Sequence, residues 1–135
     1  GIEIEINNTL SDSLQFGGHV AYVDTAIIGT TEPLRDRPGW KGGLHLDWRP
    51  HYQWRINFKN TWIGERFDFQ VPVPEQTRVS GYNTSSLGAT YQANEAVTLF
   101  TRIDNLFNSK FHRFVGFPDP GLYARFGLRY RLMSP

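Results

Sequence analysis

Val97-Thr-Leu-Phe-Thr-Arg-Ile-Asp-Asn105 alternates with a period of two. Val97, Leu99, Thr101 and Ile103 fall on one face, Thr98, Phe100, Arg102 and Asp104 on the other. A long break follows, through Leu106-Phe-Asn-Ser-Lys-Phe111 and Val115-Gly-Phe-Pro-Asp-Pro-Gly121. A second alternating run then sets Leu122, Ala124, Phe126, Leu128, Tyr130 and Leu132 against Tyr123, Arg125, Gly127, Arg129 and Arg131. Successive side chains of a strand point to opposite faces, so each run reads as a strand lying between two very different media. Lipid on the apolar side and a wet lumen on the arginine side meet that description.

The same pattern recurs upstream. Ile2, Ile4 and Ile6 oppose Glu3, Glu5 and Asn7; Leu14, Phe16, Val20 and Tyr22 oppose Gln15, His19 and Ala21. Trp40, Leu44, Leu46 and Trp48 oppose Lys41, His45, Asp47 and Arg49. Trp54, Ile56, Phe58 and Trp62 oppose Arg55, Asn57, Lys59 and Thr61, and a weaker run places Leu87, Ala89 and Tyr91 on one face. Seven strands are thus predicted, over residues 2–9, 14–24, 40–49, 53–64, 81–91, 97–105 and 122–132. The connections alternate short and long, with long breaks at 25–39 and 65–79. Strands of about ten residues suit a tilted bilayer crossing, and alternating tight turns and long loops is the habit of outer-membrane barrels. The expected fold is all-β: an antiparallel up-and-down meander of about seven long strands, one incomplete part of a transmembrane barrel.

Bulk properties agree. The 135 residues carry a net charge of +1 with the bases dispersed, which excludes a nucleic-acid binder. There is no cysteine, hence no disulfide frame or thiolate metal site. No run approaches the length of a membrane helix, but a barrel strand gives only alternate residues to lipid. The chain begins inside an alternating segment and reads as part of something longer.

Aromatic residues, 15% of the chain, sharpen the case. With the short turns taken as the periplasmic end, Trp48, Trp54, Tyr91 and Tyr130 lie at that end and Tyr22, Trp40 and Trp62 at the other, all on apolar faces. From Trp40 to Trp48 a tilted strand rises about 19 Å, close to the height between two aromatic girdles. Pairing the third and fourth strands about residue 51 predicts Trp48 opposite Trp54, Leu46 opposite Ile56, Trp40 opposite Trp62 and Asp47 opposite Arg55. A soluble β-sandwich also alternates and favours buried tryptophan, but does not require this girdle spacing. Asn60 and Gly42 interrupt the lipid face.

The chain resembles the C-terminal end of the β-barrel of TonB-dependent outer-membrane receptors. Ile103-Asp-Asn-Leu-Phe-Asn-Ser-Lys-Phe111 is similar to the family's v-x-N-L-F-D-x-x-Y segment, and Gly116-Phe-Pro-Asp-Pro-Gly121 to its G-Y-P-x-P-G-R segment. Gly1-Ile-Glu-Ile-Glu-Ile6 with Asn8-Thr-Leu-Ser-Asp-Ser13 resembles the G-v-E-x-e strand and its turn, and Gly81-Tyr-Asn83 the family's G-Y-t. Two positions depart: Leu122 replaces the usual arginine, and Leu132, followed by Met133-Ser-Pro135, stands where a terminal aromatic is normal. The resemblance implies a parent barrel of about twenty-two strands, of which these would be the last seven. Its plug domain and TonB-contacting segment would lie upstream. It further implies a Gram-negative outer-membrane location, contact with lipid and lipopolysaccharide, partnership with TonB and the plug through the parent, and active import of a scarce large solute of the siderophore-iron, haem or cobalamin type.

Candidate site residues fall into two sets. Loop cations and aromatics, which suit an anionic chelate and equally an exposed loop facing anionic lipopolysaccharide, are Arg35, Arg37, Arg66, Phe67, Phe69, Lys110, His112, Arg113 and Phe114. The lumen-facing set is Glu3, Glu5, His45, Asp47, Arg49, Arg55, Lys59, Arg102, Arg125, Arg129 and Arg131, which suits ligand guidance, plug docking or a compensated solvated wall. The four histidines show no metal-ligand spacing, no nucleophile can be placed beside His45, and phosphate-loop, dinucleotide and zinc signatures are absent, so neither catalysis nor a cofactor is expected.

Overall fold

A computed structural model describes residues 1–30, 33–69 and 76–132, excluding the side chains of Phe69, Gln76 and Thr77. The Met133-Ser134-Pro135 tail and the Phe69 side chain lie outside the described residues. Among the described residues eleven strands form: β1 (Ile2–Ser11), β2 (Leu14–Tyr22), β3 (Trp40–His51), β4 (Trp54–Ile63), β5 (Arg66–Phe69), β6 (Gln76–Val79), β7 (Tyr82–Gln92), β8 (Val97–Asp104), β9 (His112–Phe114), β10 (Phe117–Pro118) and β11 (Tyr123–Tyr130). Seven make one antiparallel sheet in the order β1-β2-β3-β4-β7-β8-β11, open at both edges. The fold is therefore the predicted meander. Two of the predicted breaks hold structure of their own, the hairpins β5–β6 and β9–β10.

Register carries the apolar face across the whole sheet. Directly paired residues share a face, and the rows read Tyr22–Trp40, Phe16–Leu46–Phe58–Leu87–Ile103–Ala124 and Val97–Tyr130. Among the described residues nothing covers that face: Ile2 is 69% and Phe126 81% exposed, and only Ala21, Val79 and Phe111 form buried apolar positions. A sandwich would bury Trp40, Trp48, Trp54 and Trp62, yet these are 40–48% exposed. One layer without a facing sheet has no aqueous core to hold it, so its apolar side needs another medium.

The β3–β4 register differs from the sequence expectation by two residues. Trp48 pairs with Ile56, Leu46 with Phe58, Gly42 with Trp62 and Asp47 with Asn57, while His51 pairs with Trp54. A bulge between Trp48 and His51 absorbs the difference, and it contains Pro50. Proline has no N–H to give a ladder and is tolerated at a bulge. A slip of two keeps every side chain on its face, so the faces stand although the Asp47–Arg55 and Trp–Trp oppositions do not.

Short turns lie together at one end of the sheet and long connections at the other. Asn94 closes the β7–β8 turn by accepting from the backbone N–H groups of Ala96 and Val97, each at 2.9 Å. After β8, Asn105 and Asn108 adopt φ of 50° and 51°, a left-handed conformation that asparagine tolerates. Asn105 accepts from Ser109 N–H and donates to Ser109 O, both at 2.9 Å, and Asn108 Oδ1 accepts from Leu122 N–H at 3.0 Å. The Asn-Leu-Phe-Asn stretch thus folds on itself and hands the chain to β11.

Candidate binding surface at the long-loop end

The described parts of three long connections meet above the sheet, at residues 23–30 with 33–39, 64–69 with 76–81, and 105–122. Arg66 and Asp68, on alternate positions of β5, are buried between them with side chains 4% exposed. Arg66 Nε donates to Asp36 Oδ1 at 2.7 Å, and Arg35 Nε to Asp68 Oδ1 at 2.7 Å. Arg35-Asp36 and Arg66-Phe-Asp68 therefore interlock as two reciprocal ion pairs. The backbone reinforces them, since Asp36 N–H donates to Phe67 O at 2.7 Å. Asp36 sits at φ 52°, left-handed like the two asparagines.

The third connection is tied to the same two side chains. Arg66 Nη2 donates to His112 O at 3.2 Å and to Arg113 O, and Asp68 Oδ2 accepts from Val115 N–H at 3.2 Å. Arg66 also lies over the Tyr82 ring at 5.8 Å, and Tyr82 stacks on the buried Phe111 at 4.2 Å and 8°. Charge-assisted bonds out of water are the strong ones, and these join segments far apart in sequence.

This placement sorts the loop candidates. Arg35, Arg66 and Arg113 are engaged, the last with Asp119. Phe67 lies under Arg78, with the guanidinium carbon 5.5 Å from the ring centre. Arg37, Lys110, His112 and Phe114 are exposed, and among the described residues no ion pair holds Arg37 or Lys110. Lys110 and His112 line a cleft of about 430 Å³ with Arg78, Phe111 and Val115. Sequence reasoning missed Asp36 and Asp68. The adjacent opposite charges in Arg35-Asp36 and Arg66-Phe-Asp68 were the available signal.

On the sheet below, Glu3, Glu5, His45, Asp47, Arg55, Lys59, Arg102, Arg125 and Arg129 share the polar face by register. Arg49, beside the bulge, gives its N–H to Ser13 O at 2.7 Å, and Arg131 lies past β11 with its N–H on Ala96 O at 2.8 Å. Arg102 stands directly opposite Arg125, and Asp104 bridges them, to Arg102 Nε at 2.8 Å and Arg125 Nη2 at 2.9 Å. Glycines on this face admit neighbouring side chains. A Cβ at Gly127 would overlap the Phe100 ring, one at Gly17 would overlap the His45 ring and one at Gly88 the Asn57 amide.

The opposite face carries the aromatic pairs, one at each end. Tyr22 and Trp40 meet at 4.7 Å by the long loops, and Trp54 and Tyr91 at 4.6 Å by the short turns. Trp62 lies toward the long-loop end, and Trp48 and Tyr130 toward the short-turn end. Asn60 is not isolated on this face: its amide donates to Asn83 Oδ1 at 2.5 Å and to the buried Ser85 Oγ at 2.9 Å, one row in from Trp62.

Comparison with known proteins bears on the whole arrangement. The description "TonB dependent receptor-like, beta-barrel" matches residues 1–106. No curated protein matches the sequence. Solved structures do. The siderophore receptor PirA from Acinetobacter baumannii superposes with a TM-score of 0.78 at 17% identity, over 95% of this chain and 21% of that one. The copper transporter OprC gives 0.75 at 16%, over 95% and 22%. The ferripyoverdine receptor of the outer membrane of Pseudomonas aeruginosa gives 0.72 at 15%, over 95% and 19%. These are transport receptors, not enzymes, and the chain spans about a fifth of their length. At such identity the structures establish the fold, and the family match establishes the lineage: the chain belongs to the TonB-dependent receptor β-barrel family.

Proposed function

We propose that this chain is the C-terminal wall of a TonB-dependent receptor in a Gram-negative outer membrane. The parent binds a scarce, large, anionic solute at the cell surface and imports it with energy relayed by TonB through a plug domain seated upstream in the sequence. The observation that carries this reading is the two-sided sheet. One side is largely apolar, broken by the Asn60–Asn83–Ser85 patch, with aromatic pairs at both ends, and the other is polar and charged. Lipid and lipopolysaccharide cover the first side; plug and solute meet the second. Siderophore and copper receptors among the similar structures support a metal-chelate cargo. Exposed Arg37, Lys110, His112 and Phe114 are the loop contacts left for it once the interlocked arginines are set aside.

Tryptophan fluorescence of the full-length receptor, in bilayers with brominated acyl chains, tests the orientation. Trp40, Trp48, Trp54 and Trp62 should be quenched strongly. Blue-shifted emission that bromine leaves untouched would put them in a protein core and end the reading.

A further inference from the structure

The polar face holds a recess of about 490 Å³ between the sheet and the connection 105–122. Lys59 on β4 stands directly opposite Ser86 on β7. Ser86 Oγ accepts from Arg102 Nη2 at 3.2 Å. Two cations therefore flank one hydroxyl, whose own proton remains available to donate. Thr61, Thr84 and Tyr123 add hydroxyls to the same lining.

Both carboxylates lining this recess are already held by arginines. Like charges directly opposed across a ladder repel, and Arg102 faces Arg125 with Asp104 alone to bridge them. Asp119, the other carboxylate of the lining, is held by Arg113. Lys59 has His45 and Ser86 as its cross-strand partners and, among the described residues, takes part in no ion pair. Both carboxylates are thus engaged while a lysine and the outer edge of a guanidinium remain directed at a space lined with hydroxyls.

We propose that this recess is an oxyanion site: Lys59, Arg102 and the Ser86 hydroxyl receive a carboxylate or phosphate group inside the barrel wall. It is separate from the loop surface. Its volume falls in the range of small-ligand pockets, and paired cations with a hydroxyl donor are the chemistry that charged oxygen atoms require. The inference rests on the proposal that this face lines the lumen. The group can arrive on a free solute or on an acidic side chain of the upstream segment that fills the barrel.

The test uses the full-length receptor. This chain has no cysteine, so Thr84→Cys, made in a full-length receptor with any upstream cysteine replaced by serine, places a single thiol in the lining. Modification by an anionic methanethiosulfonate should outpace a cationic one of similar size by about tenfold, the equivalent of one charge-assisted contact. That ratio should fall toward one in Lys59→Gln and in Arg102→Gln, and persist in Arg129→Gln. Citrate that slows the reaction in the intact receptor identifies a free solute as the source. Citrate protection that emerges only after the upstream lumen-filling segment is deleted identifies a polypeptide carboxylate. A ratio near one in both forms, or one that Lys59→Gln leaves unchanged, overturns the site. Bromine quenching in the same samples separates the two failures: quenched tryptophans with a charge-indifferent thiol sink only the recess, and unquenched tryptophans sink the lumen assignment.

Discussion

The sheet and the loop cluster above it are built on opposite principles. In the sheet each strand pairs with a near neighbour in sequence or across one connection, and a period of two decides which side a residue takes. In the loop cluster, side chains 30 to 47 residues apart are joined by ion pairs and carbonyl contacts through Arg66 and Asp68. The sheet distributes its stability over many equivalent backbone bonds, so no residue dominates. The cluster concentrates it on two buried side chains, so either can dismantle it.

The largest effect should come from Arg66→Met. Removing the guanidinium strands a half-exposed Asp36 and two carbonyls, a cost of about 2–3 kcal/mol confined to the loops. Hydrogen exchange should show the Asp36 and Val115 amides losing protection while strand amides of β2–β4 hold theirs. Equal loss in both regions would mean that the sheet and cluster are one cooperative unit. Asp68→Asn keeps the shape and removes the charge facing Arg35, and should loosen the same amides by about 1–2 kcal/mol. If the clasp matters, Asp68→Asn on the Arg66→Met background should add less than its single effect.

Sheet substitutions should be milder. Gly127→Ala must displace the Phe100 ring, at about 1 kcal/mol, and Phe100→Ala should relieve most of that penalty in a double-mutant cycle. Failure of that rescue would mean that the ring is not what occupies the space. Smallest of all, Asn60→Leu exchanges two hydrogen bonds to Asn83 and Ser85 for apolar surface on the face proposed to meet lipid, and should change stability in bilayers by less than about 1 kcal/mol. A large loss would show that the Asn60–Asn83–Ser85 patch, not lipid, sets the local packing.

The same contrast explains what the sequence makes legible. Alternation is a local signal, repeated along the seven strands of the large sheet, so their faces, number and connection order can all be read from it. Register at β3–β4 escapes the reading because Pro50 shifts pairing through a bulge without changing any face. The hairpins β5–β6 and β9–β10 escape because four, three or two residues are too few to show a period. Arg35, Arg66 and Arg113 look like free cations in sequence. Arg113 meets Asp119 six residues on, but the partners of Arg35 and Arg66, Asp68 and Asp36, lie 33 and 30 residues away and are chosen by folding. Lys59 on β4 and Arg102 on β8 have β5, β6 and β7 between them in sequence, and only the ladder brings them to Ser86.

Asn105 and Asn108 bear on the order of events as well as on the final shape. Bringing β11 back to β8 requires the chain to close a long connection, and closure grows costlier with the length left loose. Asn105 folds the first stretch onto Ser109 across four residues, and Asn108 then captures Leu122 at the threshold of β11. The slack is taken up in two local steps, so the last strand arrives already aimed at its partner. Both contacts leave less loose chain between β8 and β11, which lowers the closure entropy that their pairing must overcome.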